Sequence, residues 1–205
     1  MFVISEISDV VRLLPKYFGD DKNKRLELEL NKRFANKVIH KLGLCIILHD
    51  LLSISDAYIY PGDGAAHIRV RFRMVVYRPF NGEILQGTIK SSSPKGIHVS
   101  MDFFDDILIP PENLQPDSRY DKAEQVWIWP YDGNDLAMYP NEVITFMVTQ
   151  TYFNEICPTE ATLQLEGKGE GQPKDAKETT AALPFSPMVI EGTTNDYGLG
   201  NPDWW

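Results

Sequence analysis

Four histidines (His40, His49, His67 and His98) and two cysteines (Cys45 and Cys157) are the side chains best suited to nucleophilic, acid–base or metal chemistry. Their spacing assembles none of it. The cysteines stand far apart with no Cys-x-x-Cys and no histidine pair at ligand spacing, which argues against a zinc site and a disulfide framework and leaves reduced thiols as the plain reading. Each histidine falls in a different element, and no Gly-x-Ser-x-Gly or Cys-His signature adjoins any of them. Gly167-Lys168-Gly169-Glu170-Gly171 lacks the Gly-x-x-x-x-Gly-Lys-Ser/Thr order of a phosphate loop. Asp102, Asp105 and Asp106 lack the glycine and glutamate of a calcium loop, so a solvated turn is the reading there. No catalytic residue, metal or cofactor is expected.

The residues that remain suggest binding. Arg69, Arg71 and Arg73 alternate with Ile68, Val70, Phe72, Met74 and Val76, a period of two that puts three guanidiniums on one strand face. They could meet RNA or a partner, or pair with acids on neighbouring strands. Charge narrows the choice of partner. Residues 1 to 80 carry 13 Lys+Arg against 9 Asp+Glu, a balance of +4, while residues 81 to 205 carry 7 against 20, a balance of −13. A module so acidic is poorly suited to gripping phosphates, because that grip comes from basic side chains displacing counterions. With 43% hydrophobic residues the chain can fill real cores. No apolar run approaches the ~18 residues of a membrane span, and the start lacks the pattern of a secretory signal, so an intracellular protein with no membrane partner is expected.

The elements that position these residues fall into two groups, with domains expected at 1–80 and 81–205. Residues 2 to 14 read as a strand with a bulge or bend near Ser8-Asp9, where the alternation slips. Asp20 or Asp21 caps a helix running to about Leu42 on the Leu26, Leu30, Phe34, Val38, Leu42 stripe, and Gly43 stops it. Leu44 to Tyr60 reads as a long strand interrupted near His49-Asp50, reversed by the loop from Pro61 to Ala66. The order is β-α-β-β. After Tyr77-Arg78-Pro79-Phe80, a strand begins at Gly82 and ends before a turn at Ser91 to Gly96. Further short strands are expected around Ile97 to Met101, Asp106 to Ile109, Val126 to Trp129, Val143 to Tyr152 and Pro187 to Gly192, fitting a small barrel or sandwich. Residues 166–182 read as a flexible insertion. Trp204 and Trp205 are expected to dock on this domain or on a partner.

These stretches resemble a known family, the larger subunit of the two-protein stalk of archaeal and eukaryotic RNA polymerases, and most closely its RNA polymerase III version. The likeness rests on Glu29-Leu30-Asn31-Lys32, Gly43-Leu44-Cys45, Tyr60-Pro61-Gly62-Asp63-Gly64-Ala65, Phe103 to Glu112, Glu124-Gln125-Val126-Trp127 and the tail from Gly198 to Trp205. The resemblance implies an α+β, ribonucleoprotein-like tip domain followed by an all-β S1-type OB barrel. It implies a nuclear, non-catalytic stalk subunit that supports initiation and is paired with the smaller stalk subunit. Pro61, Gly62, Asp63, Gly64 and Ala65 would dock on the polymerase core near the clamp. Tyr77, Arg78, Pro79 and Phe80 would form an interdomain hinge and partner groove. Initiation factors and nascent RNA would face the barrel, with Lys90, Lys95 and His98 as the RNA-contacting candidates. S1 barrels that bind RNA carry aromatic residues where this chain has Lys95-Gly96-Ile97-His98 and Ile109, so any RNA contact is expected to be weak or assisted by the partner. The alternative is a free-standing S1-type RNA-binding protein of RNA processing or translation.

Overall fold

The computed structural model describes residues 1–154 and 186–205, which leaves the expected insertion at 166–182 and Cys157 outside the described residues. The chain divides into two compact units, Met1–Arg78 and Pro79–Trp205.

The first unit contains strand β1 (Phe2–Leu13), a 3₁₀ turn at Pro15–Tyr17, helix α1 (Lys22–Phe34), and strands β2 (Lys37–Ile39), β3 (Gly43–Ile54), β4 (Tyr58–Ile59) and β5 (Ala66–Tyr77). All pairings are antiparallel, in the order β1-β5-β3-β2, with β4 also on β5. β5 is central because its alternation supplies a full apolar face. Ile68, Val70, Phe72, Met74 and Val76 are all buried in one core cluster with Leu26 and Leu30 of α1. Each such side chain contributes about 1.5–3 kcal/mol through burial.

Three expectations change here. β1 has no bulge: its twelve residues pair with β5 in unbroken register. The alternation slips because the strand is apolar on both faces, with Val11 and Leu13 buried while Phe2, Ile4 and Val10 lie exposed on the opposite side. α1 ends at Phe34, not near Leu42. Asn36 takes a left-handed φ of 57° and its N–H donates to Cys45 O at 2.8 Å, so Lys37, Val38 and Ile39 pair with β3 instead of extending the helix. Gly43 therefore starts a strand; at its φ of 128° a Cβ would lie 2.5 Å from Tyr77 O. The third change concerns β3, which ends at Ile54 instead of running to Tyr60; the expected interruption near His49-Asp50 is a register shift between Leu48/Asp50, one of three, with the others between Cys45/Ile47 and Leu51/Ser53. Beside one of them, the Leu48 N–H donates to Asn31 Oδ1 of α1 at 2.9 Å.

The second unit contains β6 (Ile84–Ser93), β7 (Gly96–Met101), β8 (Phe104–Ile109), β9 (Arg119–Asp121), β10 (Val126–Tyr131), β11 (Asn134–Met138), β12 (Val143–Phe153) and β13 (Met188–Thr193). β12-β13-β8-β7-β6 form a closed barrel, in which β13 runs parallel to β8. Its interior holds Ile89, Ile97, Val99, Ile107, Phe146 and Ile190, all essentially inaccessible. β11-β10-β9 form a separate three-stranded sheet, whose outer strands lack the apolar pattern that made β10 legible. Ser91 to Ser93 are strand, not turn, because they pair with Gly96, Ile97 and His98; the reversal is confined to Pro94-Lys95. Gly96 is required there. Its φ is 133°, and a Cβ would sit 2.2 Å from Ile109 O.

Candidate functional site

The loop between β4 and β5 turns on Gly62 and Gly64, both at positive φ. Pro61, Gly62, Asp63 and Gly64 are exposed, whereas Ala65 is buried and anchors the end of the loop. Asp63 ties the turn to the sheet. Arg12 of β1 donates from Nε to Asp63 Oδ2 at 3.0 Å and from its second nitrogen to Oδ1, and His67 Nε2 lies 2.7 Å from Oδ2. The carboxyl is held well below the usual range, chiefly by the Arg12 hydrogen bond and then by His67. An ionised carboxylate only accepts, so Nε2 carries the proton. Tyr60 packs edge-on against His67 and Tyr58 edge-on against Tyr60, both at 4.8 Å between ring centroids. Beside the loop, a pocket of about 260 Å³ is lined mostly by Leu13, Tyr17, Phe18, Ile59, Ala66 and Ile68. The result is an ion-paired protrusion next to an apolar socket.

The sheet face away from α1 has two zones. At one end Phe2 and Ile4 stand beside Tyr77 and Val75, with Ile47 on the other flank, because directly paired residues share a face. Phe2, Ile4 and Ile47 are about half exposed, while Tyr77 is buried with Phe2 tilted over it at 5.7 Å. Further along lie the arginines. Arg73 Nε donates to Asp50 at 2.7 Å, and Arg71 Nε donates to Glu6 at 2.9 Å. Two of the three arginines that sequence left undecided are thus neutralised across strands. Arg69 lies on the same face, with its N–H donating to Ser55 Oγ at 2.9 Å.

Of the hinge candidates, Tyr77 and Arg78 belong to the first unit, and Pro79 and Phe80 to the second. Arg78 N–H donates to Met1 O at 2.9 Å; Phe80 is 62% exposed and its N–H donates to Glu83 Oε2 at 3.2 Å.

On the barrel, Lys90 and His98 share a face with two acids. Lys90 Nζ pairs with Asp105 at 2.9 Å, and Ser100 Oγ also donates to Asp105, so that carboxyl is held down mainly by Ser100 and then by Lys90. Burial lowers the pKa of His98, opposed by Asp106. Asp106 in turn accepts from Ser186 Oγ at 2.6 Å. Lys95 lies apart from them, in the β6–β7 turn. Carboxylates interleaved with the cations leave little free positive charge for a phosphate.

The other histidines do not converge: His49 sits on Asp50, at 3.1 Å, and His67 on Asp63. Among the described residues no three His, Cys, Asp or Glu side chains gather as metal ligands, and no helix is long and apolar enough to cross a membrane. Cys45 is buried, and burial raises its pKa, which makes it an unreactive core thiol. Sequence reasoning missed Arg12, Tyr60 and His67 as loop supports, since only the β1–β5 and β4–β5 registers bring them to Asp63. It also missed the open sheet face. The available signal there was apolar residues at both parities of β1.

An α+β unit with an ion-paired loop and a partly apolar open sheet face, followed by a closed five-stranded barrel consistent with an OB fold, defines the architectural class of this protein. The comparisons give that class a family. Residues 8–64 match the SHS2 domain found in the N terminus of Rpb7p/Rpc25p/MJ0397, and residues 83–205 match RNA polymerase III subunit Rpc25. DNA-directed RNA polymerase III subunit RPC8 of Bos taurus is 44% identical over 100% of this chain and 98% of its own length. Its counterpart in Saccharomyces cerevisiae is 37% identical over 100% of both chains. DNA-directed RNA polymerase II subunit RPB7 of Saccharomyces cerevisiae is 34% identical over 49% of this chain and 60% of its own length. The chain belongs to the RNA polymerase III subunit Rpc25 family.

Proposed function

We propose that this protein is a non-catalytic stalk subunit of DNA-directed RNA polymerase III, acting in the nucleus as one half of a heterodimer with a smaller subunit. One observation carries this reading: likeness to subunits so named runs through both structural units, end to end. The tip loop at Pro61 to Ala65 is the element that meets the polymerase core near the clamp. The tie of Asp63 to Arg12 and His67 favours this, since a pre-ordered loop loses less freedom on docking. The adjoining pocket would take an apolar side chain from the core. The Phe2, Ile4 and Ile47 face is the surface for the smaller subunit, because it offers apolar area that this unit leaves uncovered. The barrel supports initiation through factor contacts and touches transcript only weakly, since Lys90 is already paired.

Affinity purification of the tagged chain from nuclear extract tests the reading. Polymerase III core subunits and a small partner should co-purify in nuclease-resistant stoichiometry, and the loop variant Asp63→Lys should keep the small partner while losing the core. Association only through RNA, abolished by nuclease, would overturn it in favour of a free-standing RNA-binding protein.

A further inference from the structure

Five aromatic rings form a continuous run on the second unit. Tyr131 and Trp129 lie two apart on β10 with centroids 4.7 Å apart; Trp129 meets Trp204 at 5.6 Å and Trp205 at 6.3 Å; Trp205 meets Tyr197 at 4.7 Å. Three of them face solvent. Tyr197 is 86% exposed, Tyr131 51% and Trp205 49%. The platform is held in place. Trp205 Nε1 donates to Leu199 O at 3.2 Å, Asn201 Oδ1 caps the last turn by accepting from Asp203 N at 3.0 Å, and Gly200 exchanges both backbone hydrogen bonds with Thr145 of β12 at 2.8 Å. Gly200 is at φ 103°, and a Cβ there would lie 2.8 Å from the Trp204 ring, so that ring packs against bare backbone. Rings fixed this way lose little entropy when something stacks on them.

The surrounding charge says what that is. Asp132, Asp196 and Asp203 each adjoin one of the ring residues in the chain, are exposed, and are ion-paired with nothing among the described residues. Across 117–142 and 193–205 there are eight acidic side chains and two basic ones, and one of the two, Arg119, is paired with Asp135. Phosphates would be repelled here, whereas cations would be attracted both by the carboxylates and by the negative faces of the rings. We propose that the Tyr131–Trp129–Trp205–Tyr197 surface binds an arginine-bearing basic segment of a protein partner, its guanidiniums stacking on the exposed rings with the three aspartates beside them.

The test uses the full chain and a labelled peptide of alternating Arg and Gly, followed by fluorescence anisotropy. It does not depend on the polymerase assignment, because no polymerase is present. Tyr197→Ala and Trp205→Ala, which leave charge unchanged, should each weaken binding tenfold or more, and the Lys-for-Arg peptide should bind several-fold less tightly. Asp196→Asn should weaken binding and flatten its salt dependence. Thermal melts confirm that each variant is folded, and Tyr131→Ala provides a third ring variant. Absence of binding, or equal binding to wild type and ring variants, would overturn the proposal. So would oligouridylate binding that is tighter than the peptide's and lost in the same ring variants, since the platform would then serve RNA.

Discussion

In the first unit, formally basic, Arg12, Arg25, Arg33, Arg71 and Arg73 each meet an acid, and one end of the open sheet face is apolar. In the second, Lys90 and Arg119 are ion-paired while Asp132, Asp196 and Asp203 meet no cation among the described residues, and the rings beside them are bare. Net charge and available charge are therefore different quantities. In the basic half Arg71 and Arg73 are engaged across strands, whereas the acidic half keeps, among the described residues, carboxylates with no cation partner beside stacked rings, which suits it to cations.

The comparison should fail first in the interiors, where the units are alike. Phe72→Ala and Phe146→Ala each remove a fully buried ring, and each should cost about 3–5 kcal/mol in urea denaturation. A loss under about 1 kcal/mol at either site would mean that unit's core is not packed as described. Two glycines give the next contrast. Gly96→Ala in the barrel meets backbone and should cost about 3 kcal/mol or more, whereas Gly62→Ala at the tip meets nothing within 4 Å and should cost only the ~1–2 kcal/mol of a left-handed alanine. Ile4→Asp should weaken association with the smaller subunit at least tenfold while leaving the melting temperature within a few degrees, as measured by titration calorimetry and thermal melts. Arg71→Glu opposes Glu6 in an exposed pair and should change stability by no more than about 1 kcal/mol. Unchanged assembly would assign Arg71 to a solvated face; lost assembly would place it in an interface.

The smallest effect concerns acid. Arg73 and then His49 hold the Asp50 carboxyl below its ordinary range, as Arg12 and His67 hold Asp63. A depressed carboxyl lets the unfolded chain take up protons first as pH falls. Its stabilising contribution is therefore complete above about pH 5 and is lost as pH drops through ~3.9 towards the folded value. Asp63→Asn and Asp50→Asn should flatten the acid limb of melting temperature between about pH 5 and 2 and leave the slope near neutrality unchanged. An unaltered acid limb would mean these pairs do not form in solution.

Much of the frame was legible because burial imposes a period. The alternation on β5 named its core residues, Leu26 and Leu30 named the inner face of α1, and turn glycines bracketed the loop. Where a residue fits two states, local pattern misled. Val38 continued a helical stripe and yet paired with Leu44, and Ser91 to Ser93 looked like turn while extending β6. β9 and β11 had no apolar period to read.

By itself, the sequence determined two modules and their opposite charges, since composition and period are local properties. Only the tertiary structure decided which charges remain available. Arg12 finds Asp63 at a sequence separation of 51, Arg71 finds Glu6 at a separation of 65, and Trp129 meets Trp204 through the folding of the tail back onto β10. Such pairings depend on strand register and chain return, quantities that no local window contains. They turn a row of arginines into a quiet face and a pair of terminal tryptophans into a candidate binding platform.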